Sequence, residues 1–208
     1  MHTTRIRTFL IADVRGYSSF TETQGDEVAA RLAGRFAAVA REIVTRHGGE
    51  VVELRGDEAL AVFDSARGAL VAAVRLQERF VDETITDPSL PLRVGIGLDT
   101  GEAVPVEEGF RGKALNVAAR LCGLAAPGEV LATRELAHVA SKIEGIRVEE
   151  RGPATVKGMT EPVQVVKVLP EGADPSARLG SAGQLGGTRA YEIPDVSPSR
   201  RRLFRRPR

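Results

Sequence analysis

Along this chain the apolar positions change period several times, and each change predicts a new element. Residues from Ile6 to Val14 are apolar and β-branched enough for a central strand, which Gly16 ends. From Gly25 the period lengthens: Val28, Leu32, Phe36, Val39 and Ile43 recur every three to four residues. That spacing predicts a helix of about five turns with one buried face, stopped by His47-Gly48-Gly49. Two short strands follow, Glu50–Arg55 and Ala59–Phe63, with Gly56-Asp57-Glu58 as the hairpin turn between them. Asp64-Ser65 can cap a second helix whose stripe is Ala69, Leu70, Ala73, Val74, Phe80 and Val81. Beyond a loop holding Pro88 and Pro91, Leu92, Val94, Ile96 and Leu98 alternate with Arg93, Gly95 and Gly97, as in a strand packed on one face.

Strand, helix, strand, strand, helix, strand is the ferredoxin-like βαββαβ plan. It predicts an α+β fold with an antiparallel-rich sheet and helices on one face. A helix from about Gly112 to Leu124 and shorter strands near Val130, Arg147 and Val163–Val168 extend the plan. Past Pro170 the composition shifts to Gly, Ser, Pro and Ala. Residues 1–169 therefore read as one domain, and 170–208 as a flexible linker ending in an Arg-rich tail.

Composition adjusts this picture in three places. With no Trp and seven Phe, the core must be mostly aliphatic. The formal net charge of +1 hides an asymmetry: residues 171–208 hold eight Arg and four acidic residues, which leaves the body slightly acidic. Such a body lacks the broad basic surface of a duplex-binding module, and no specific nucleic-acid recognition is expected. The tail could still contact an anionic membrane surface or another polyanion. Cys122 is the single cysteine and reads as a small buried hydrophobe on a helix. No run approaches 18 apolar residues and the N-terminus lacks a signal peptide's hydrophobic segment, so a cytoplasmic location is expected.

Three segments carry candidate chemistry. In Phe9-Leu-Ile-Ala-Asp13-Val-Arg-Gly16-Tyr-Ser, Asp13 lies at the exit of an apolar strand. In Glu53-Leu-Arg-Gly56-Asp57-Glu58, Asp57 lies at a hairpin tip. If the first strand sits beside that hairpin, the two carboxylates converge, and such a pair beside triphosphate oxygens suits Mg²⁺ or Mn²⁺. Strand-end Asp and Gly-Asp turns also simply suit loop geometry. In Gly112-Lys-Ala-Leu-Asn116-Val-Ala-Ala-Arg120-Leu, Asn116 and Arg120 stand four apart and share a helix face. An amide beside a guanidinium can position a hydroxyl and neutralise charge growing on phosphorus, although an exposed polar face is the plainer reading.

Taken in this order, the segments resemble the class III adenylate/guanylate cyclase catalytic domain. Phe9 to Ser18 matches that family's F-x-x-x-D-x-x-G-[FY]-S segment, Gly56-Asp57 its G-D turn, and Asn116 to Arg120 its N-x-A-x-R helix. Ala126-Pro-Gly-Glu-Val and Arg151-Gly…Val156-Lys157-Gly158 match as well, so the likeness covers roughly residues 5–169. The resemblance implies two Mg²⁺ or Mn²⁺ ions per site on Asp13 and Asp57. It implies a homodimer with composite sites, in which Asn116 orients the ribose and Arg120 stabilises the pentavalent phosphorus of substrate held by the partner's aspartates. Lys157 matches a lysine that contacts the terminal phosphates. The implied reaction is attack of the ribose 3′-hydroxyl on the α-phosphorus of ATP or GTP, giving the 3′,5′-cyclic monophosphate and pyrophosphate.

Two departures stand out. Glu53 occupies the position that is Lys in adenine-selective members and Glu in guanine-selective ones. A carboxylate there can accept from guanine N1–H and the 2-amino group, but it could instead pair with Arg55. The partner base-contacting position falls near Gly109, which has no side chain to offer. Between Glu102 and Gly112, where the family usually inserts a longer interface hairpin, only nine residues intervene. The alternative to an active cyclase is a silent cyclase fold that dimerises or senses a nucleotide.

Overall fold

The apolar run that opens the chain becomes the middle of a sheet. In the computed structural model, which describes residues 4–107, 109–155 and 161–172, β1 (Arg5–Val14) lies between β3 (Glu58–Phe63) and β4 (Val94–Val106), antiparallel to both. β2 (Gly49–Arg55) pairs with β3 through the expected hairpin and forms one edge. The order β2-β3-β1-β4 is that of the ferredoxin-like plan. Beyond it, β6 (Val130–Thr133) joins β4 in parallel, then β8 (Val163–Pro170) and β7 (Ile146–Ala154) complete the sheet antiparallel.

The long helices α2 (Asp26–Arg46) and α3 (Ala66–Thr86) cover one face together with α5 (Arg134–Ala140). Their stripes meet Leu10, Ala12, Val94, Ile96 and Leu98 in a continuous aliphatic core. Phe36 of α2 stacks on Phe80 of α3 with ring centroids 5.5 Å apart. The Ser65 hydroxyl accepts from the Gly68 N–H at 3.1 Å and caps α3, as the sequence suggests.

Three features extend the sequence-based picture. A short helix α1 (Tyr17–Gln24) precedes α2; none of its residues is fully buried, so it left no apolar period to read. β4 runs on past Leu98 to Val106 and folds back on β5 (Gly109–Arg111), so the shortened segment still forms a hairpin. Phe110 pins that hairpin by an edge contact with Phe9 at 5.8 Å. Finally, the one-face arrangement holds for α2, α3 and α5, while α4 (Lys113–Leu124) packs on the opposite face. There Ala114, Leu115, Ala118 and Cys122 meet Phe9, Ile11 and Ala103. β4 is consequently buried on both faces from Val94 to Asp99.

Gly95 and Gly97 explain how a helix fits there. A Cβ on Gly97 would collide with the Ala118 carbonyl and the Cys122 N–H, and would lie 2.7 Å from the Cys122 Cα. The alternation of apolar residues with glycine in β4 therefore marks a helix seat, not a solvent face.

Asp99, next on that face of β4, is 9 % exposed. Its Oδ1 accepts from the Thr133 hydroxyl at 2.6 Å. Burial pushes its carboxyl up to about 6 against the opposing pull of these hydrogen bonds and of Lys113.

Three outcomes are expected. Gly97→Ala loses about 3 kcal/mol or more of unfolding free energy in urea titration. Gly34→Ala, on the exposed side of α2 with open space around it, gains about 1 kcal/mol. Asp99 ionises at higher pH when folded than when unfolded, so its contribution to stability falls as pH rises from about 4 to about 6 and then levels off. Asp99→Asn removes that loss. Urea titrations at pH 4.5 and 7.5 should show the variant gaining on the parent, by up to about 3 kcal/mol at the higher pH.

Candidate active site

Asp13 and Asp57 are brought to one end of the sheet by backbone pairing. Asp13 stands opposite Glu58 in the β1–β3 register, and the next N–H, that of Val14, donates to the Asp57 carbonyl at 3.0 Å. Gly56, at φ 57°, takes the left-handed conformation that lets the β2–β3 turn place Asp57 there. Both aspartates are half-buried. By strand alternation from Phe9 and Ile11, Asp13 belongs to the face that α4 covers.

The Asp13 carboxylate is paired with Arg15, whose Nη1 donates to Oδ2 at 2.9 Å. The same guanidinium reaches α4: its Nε donates to the Ala125 carbonyl at 3.2 Å and its Nη2 to the Cys122 carbonyl. Arg15 lies within the Phe9–Ser18 segment, whose sequence alone assigns it no role. Its partners on α4 lie more than a hundred residues away, where no local pattern can announce them.

Asn116 and Arg120 share one face of α4, Asn116 exposed and Arg120 half-buried. Gly101 sits against Ala114 and Gly97 against Ala118 and Cys122, so α4 runs antiparallel to β4, its C-terminus towards Asp13. Asn116 thus lies about 9 Å along the helix from Cys122, where Arg15 attaches. The carboxylate pair and the amide–guanidinium pair point from different parts of one chain. Glu53, on edge strand β2, forms an ion pair with Arg55, the alternative that its spacing allowed. Lys157 and residues 173–208 fall outside the described residues.

Two further matched segments come together. Glu129 Oε2 accepts from the Ala126 N–H at 2.9 Å, closing the Ala126-Pro-Gly-Glu turn. Its Oε1 lies 3.4 Å from Arg151 Nε on β7. Cys122 is buried, and burial raises its thiol to about 12, which fits a packing role. Its Sγ donates to the Gly95 carbonyl at 3.4 Å. No helix among the described residues is long and apolar enough to cross a membrane.

The donor chemistry fits a hard divalent cation. Among the described residues no group of three or more His, Cys, Asp and Glu side chains is arranged to hold a metal. Two aspartates alone leave most positions of a Mg²⁺-type shell to phosphate oxygens and water, as that ion's binding habits require.

No protein-family model matches the chain. A protein of Rhizobium meliloti (strain 1021), provisionally named adenylate cyclase 3, is 30% identical over 167 residues, covering 77% of this chain and 28% of its own length. The chain spans about a third or less of the curated relatives it matches. Among solved structures, the guanylyl cyclase Cya2 superposes with a TM-score of 0.70 at 26% identity, covering 82% of this chain and 95% of that one. An adenylate/guanylate cyclase/hydrolase from Silicibacter pomeroyi does so with 0.70 at 27%, covering 82% and 99%. The eight strands and five helices of the described residues have the fold of adenylyl and guanylyl cyclase catalytic domains.

Proposed function

We propose that residues 1–169 are a nucleotide cyclase catalytic domain that converts ATP or GTP to its 3′,5′-cyclic monophosphate and pyrophosphate. Residues 170–208 are then a linker and basic tail. The observation that carries this reading is the division of labour within one fold of the cyclase type. β1 and the β2–β3 turn bring two carboxylates together, while α4 presents an amide and a guanidinium on an outward face. A second copy related by a two-fold axis would bring the α4 face of one chain to the carboxylates of the other and create two equivalent sites. Val52, Leu60, Phe110 and Ala119, half-buried around α4, offer apolar surface for that contact.

In this reading Asp13 and Asp57 hold two Mg²⁺ or Mn²⁺ ions together with the triphosphate. Bound there, the ions would supply Lewis acidity near the 3′-hydroxyl and positive charge beside the pyrophosphate oxygens. The chain's own contribution is positional and electrostatic. The Asn116 amide fixes the ribose so that O3′ lies in line with the α-phosphorus. The fixed charge of Arg120 stabilises the negative charge that builds on the pentavalent phosphorus. Lys157 contacts the terminal phosphates. Glu53 faces the base, and its pair with Arg55 holds the carboxylate in place, so the base that releases more free energy against this pair is the preferred one.

The test is incubation of the chain with GTP or ATP and Mn²⁺, followed by chromatography for cyclic product. Asp57→Ala and Asn116→Ala should each lower turnover by about a hundred-fold or more. Mixing the two variants should restore about a quarter of parental activity, because half the dimers are mixed and each has one intact site. A folded dimer that makes no product from either nucleotide would replace this reading with that of a silent dimerisation or nucleotide-sensing domain.

A further inference from the structure

Arg15 joins a largely covered carboxylate to the end of a helix. Its side chain is 19 % exposed and its Asp13 partner 14 %, so the pair is largely withdrawn from water. The guanidinium lies flat across β4 in the space left by Gly95, where a Cβ would stand 2.6 Å from Arg15 Nε. From there it divides its donors between two acceptors. One is the Asp13 carboxylate. The other is the carbonyl end of α4, through Cys122 and Ala125. That end carries the negative pole of the helix, and a cation there is stabilised by the unpaired carbonyls. A planar fork with separate donors can serve both at once, which an ammonium cannot do with the same geometry.

Resting on the cyclase reading above, we propose that Arg15 is a positioning residue that couples metal occupancy at Asp13 to the seating of α4. Asp13 would serve one composite site, while Asn116 and Arg120 on the same α4 would serve the other. Arg15 joins the two through a chain of direct contacts inside a single subunit. A divalent ion on Asp13 competes with the guanidinium for the carboxylate charge. When the ion binds, Arg15 keeps its carbonyl partners on α4 but loses the carboxylate that fixes its guanidinium against β1, so the last turn of α4 is held less firmly. The state of one site is thereby transmitted to the helix that completes its twin.

The experiment uses the full chain and Mn²⁺ alone as probe. Bound Mn²⁺ is measured by the loss of the free-ion electron paramagnetic resonance signal, and amide hydrogen exchange is followed across residues 113–126. In the parent, Mn²⁺ should speed exchange at the C-terminal turn of α4, including the Ala125 N–H that donates to the Leu121 carbonyl at 2.9 Å. Arg15→Met should bind Mn²⁺ about five-fold more tightly, since the competing charge is gone, and should lose the exchange response. Its kcat should fall about ten-fold with KM little changed. Arg15→Lys, which keeps the charge but not the fork, should retain parental Mn²⁺ affinity with an intermediate kcat.

Exchange in the parent that ignores Mn²⁺ overturns the coupling, and this measurement decides the matter even where Arg15→Met does not fold. A folded Arg15→Met chain that binds Mn²⁺ no more tightly than the parent overturns it as well. A parent that binds Mn²⁺ with the exchange response but forms no cyclic nucleotide removes the cyclase reading and leaves the link standing. A parent that forms product with no exchange response does the reverse.

Discussion

The seating of α4 directly on the backbone of β4 is the contact on which the site depends. Gly95, Gly97 and Gly101 clear a track, and the small residues Ala114 and Ala118 with Cys122 fill it. A helix set at van der Waals distance from a strand has little room to slide or roll, so packing sets the directions of Asn116 and Arg120 and only the end of α4 is left to respond to Arg15. The same track leaves room for the guanidinium of Arg15 beside the helix end. Packing on one side of the sheet and charge at its end are thus two results of the same missing side chains.

The two faces of the sheet have different duties. On the α2–α3 side a continuous aliphatic core holds the plan together, supported by Glu83, which accepts from Arg79 and Arg35 and ties the two helices. Burial alone would raise that carboxyl, but the two guanidinium partners outweigh it and hold it below the ordinary range. On the other side, among the described residues, α4 covers only part of the sheet, and apolar residues around it remain half-buried. A monomer stabilised chiefly from one side can leave its second side available for an exchangeable contact.

Much of this was legible in the sequence because the core side has clean periods. The stripe Leu32, Phe36, Val39 and Ile43 specifies one buried face of α2, and the continuous apolar run of β1 marks a strand covered on both faces. The aspartate turn and the Asn116–Arg120 spacing were readable as local patterns, and the structure places them as one strand-end cluster and one helix face. What escaped was non-local or polar. α1 buries no residue completely. The extension of β4 beyond Leu98 passes through Asp99, Thr100, Gly101 and Glu102, whose polarity hides a strand that β1 continues to pair. Arg15 acquires its meaning only when residues 122–125 fold back over β4.

The parallel pairing of β4 with β6 has a consequence for how the chain can be divided. Ile96, Gly97 and Leu98 match Val130, Leu131 and Ala132, a pairing that no hairpin can create. It requires the intervening helix to cross the sheet and a long loop to close. A fragment ending before Val130 would keep the ferredoxin-like core yet present β4 as a naked rim, flat, apolar and ready to template another molecule. The C-terminal strands therefore act as a guard against self-association through that rim, and shortened versions for laboratory use should retain them through Pro170.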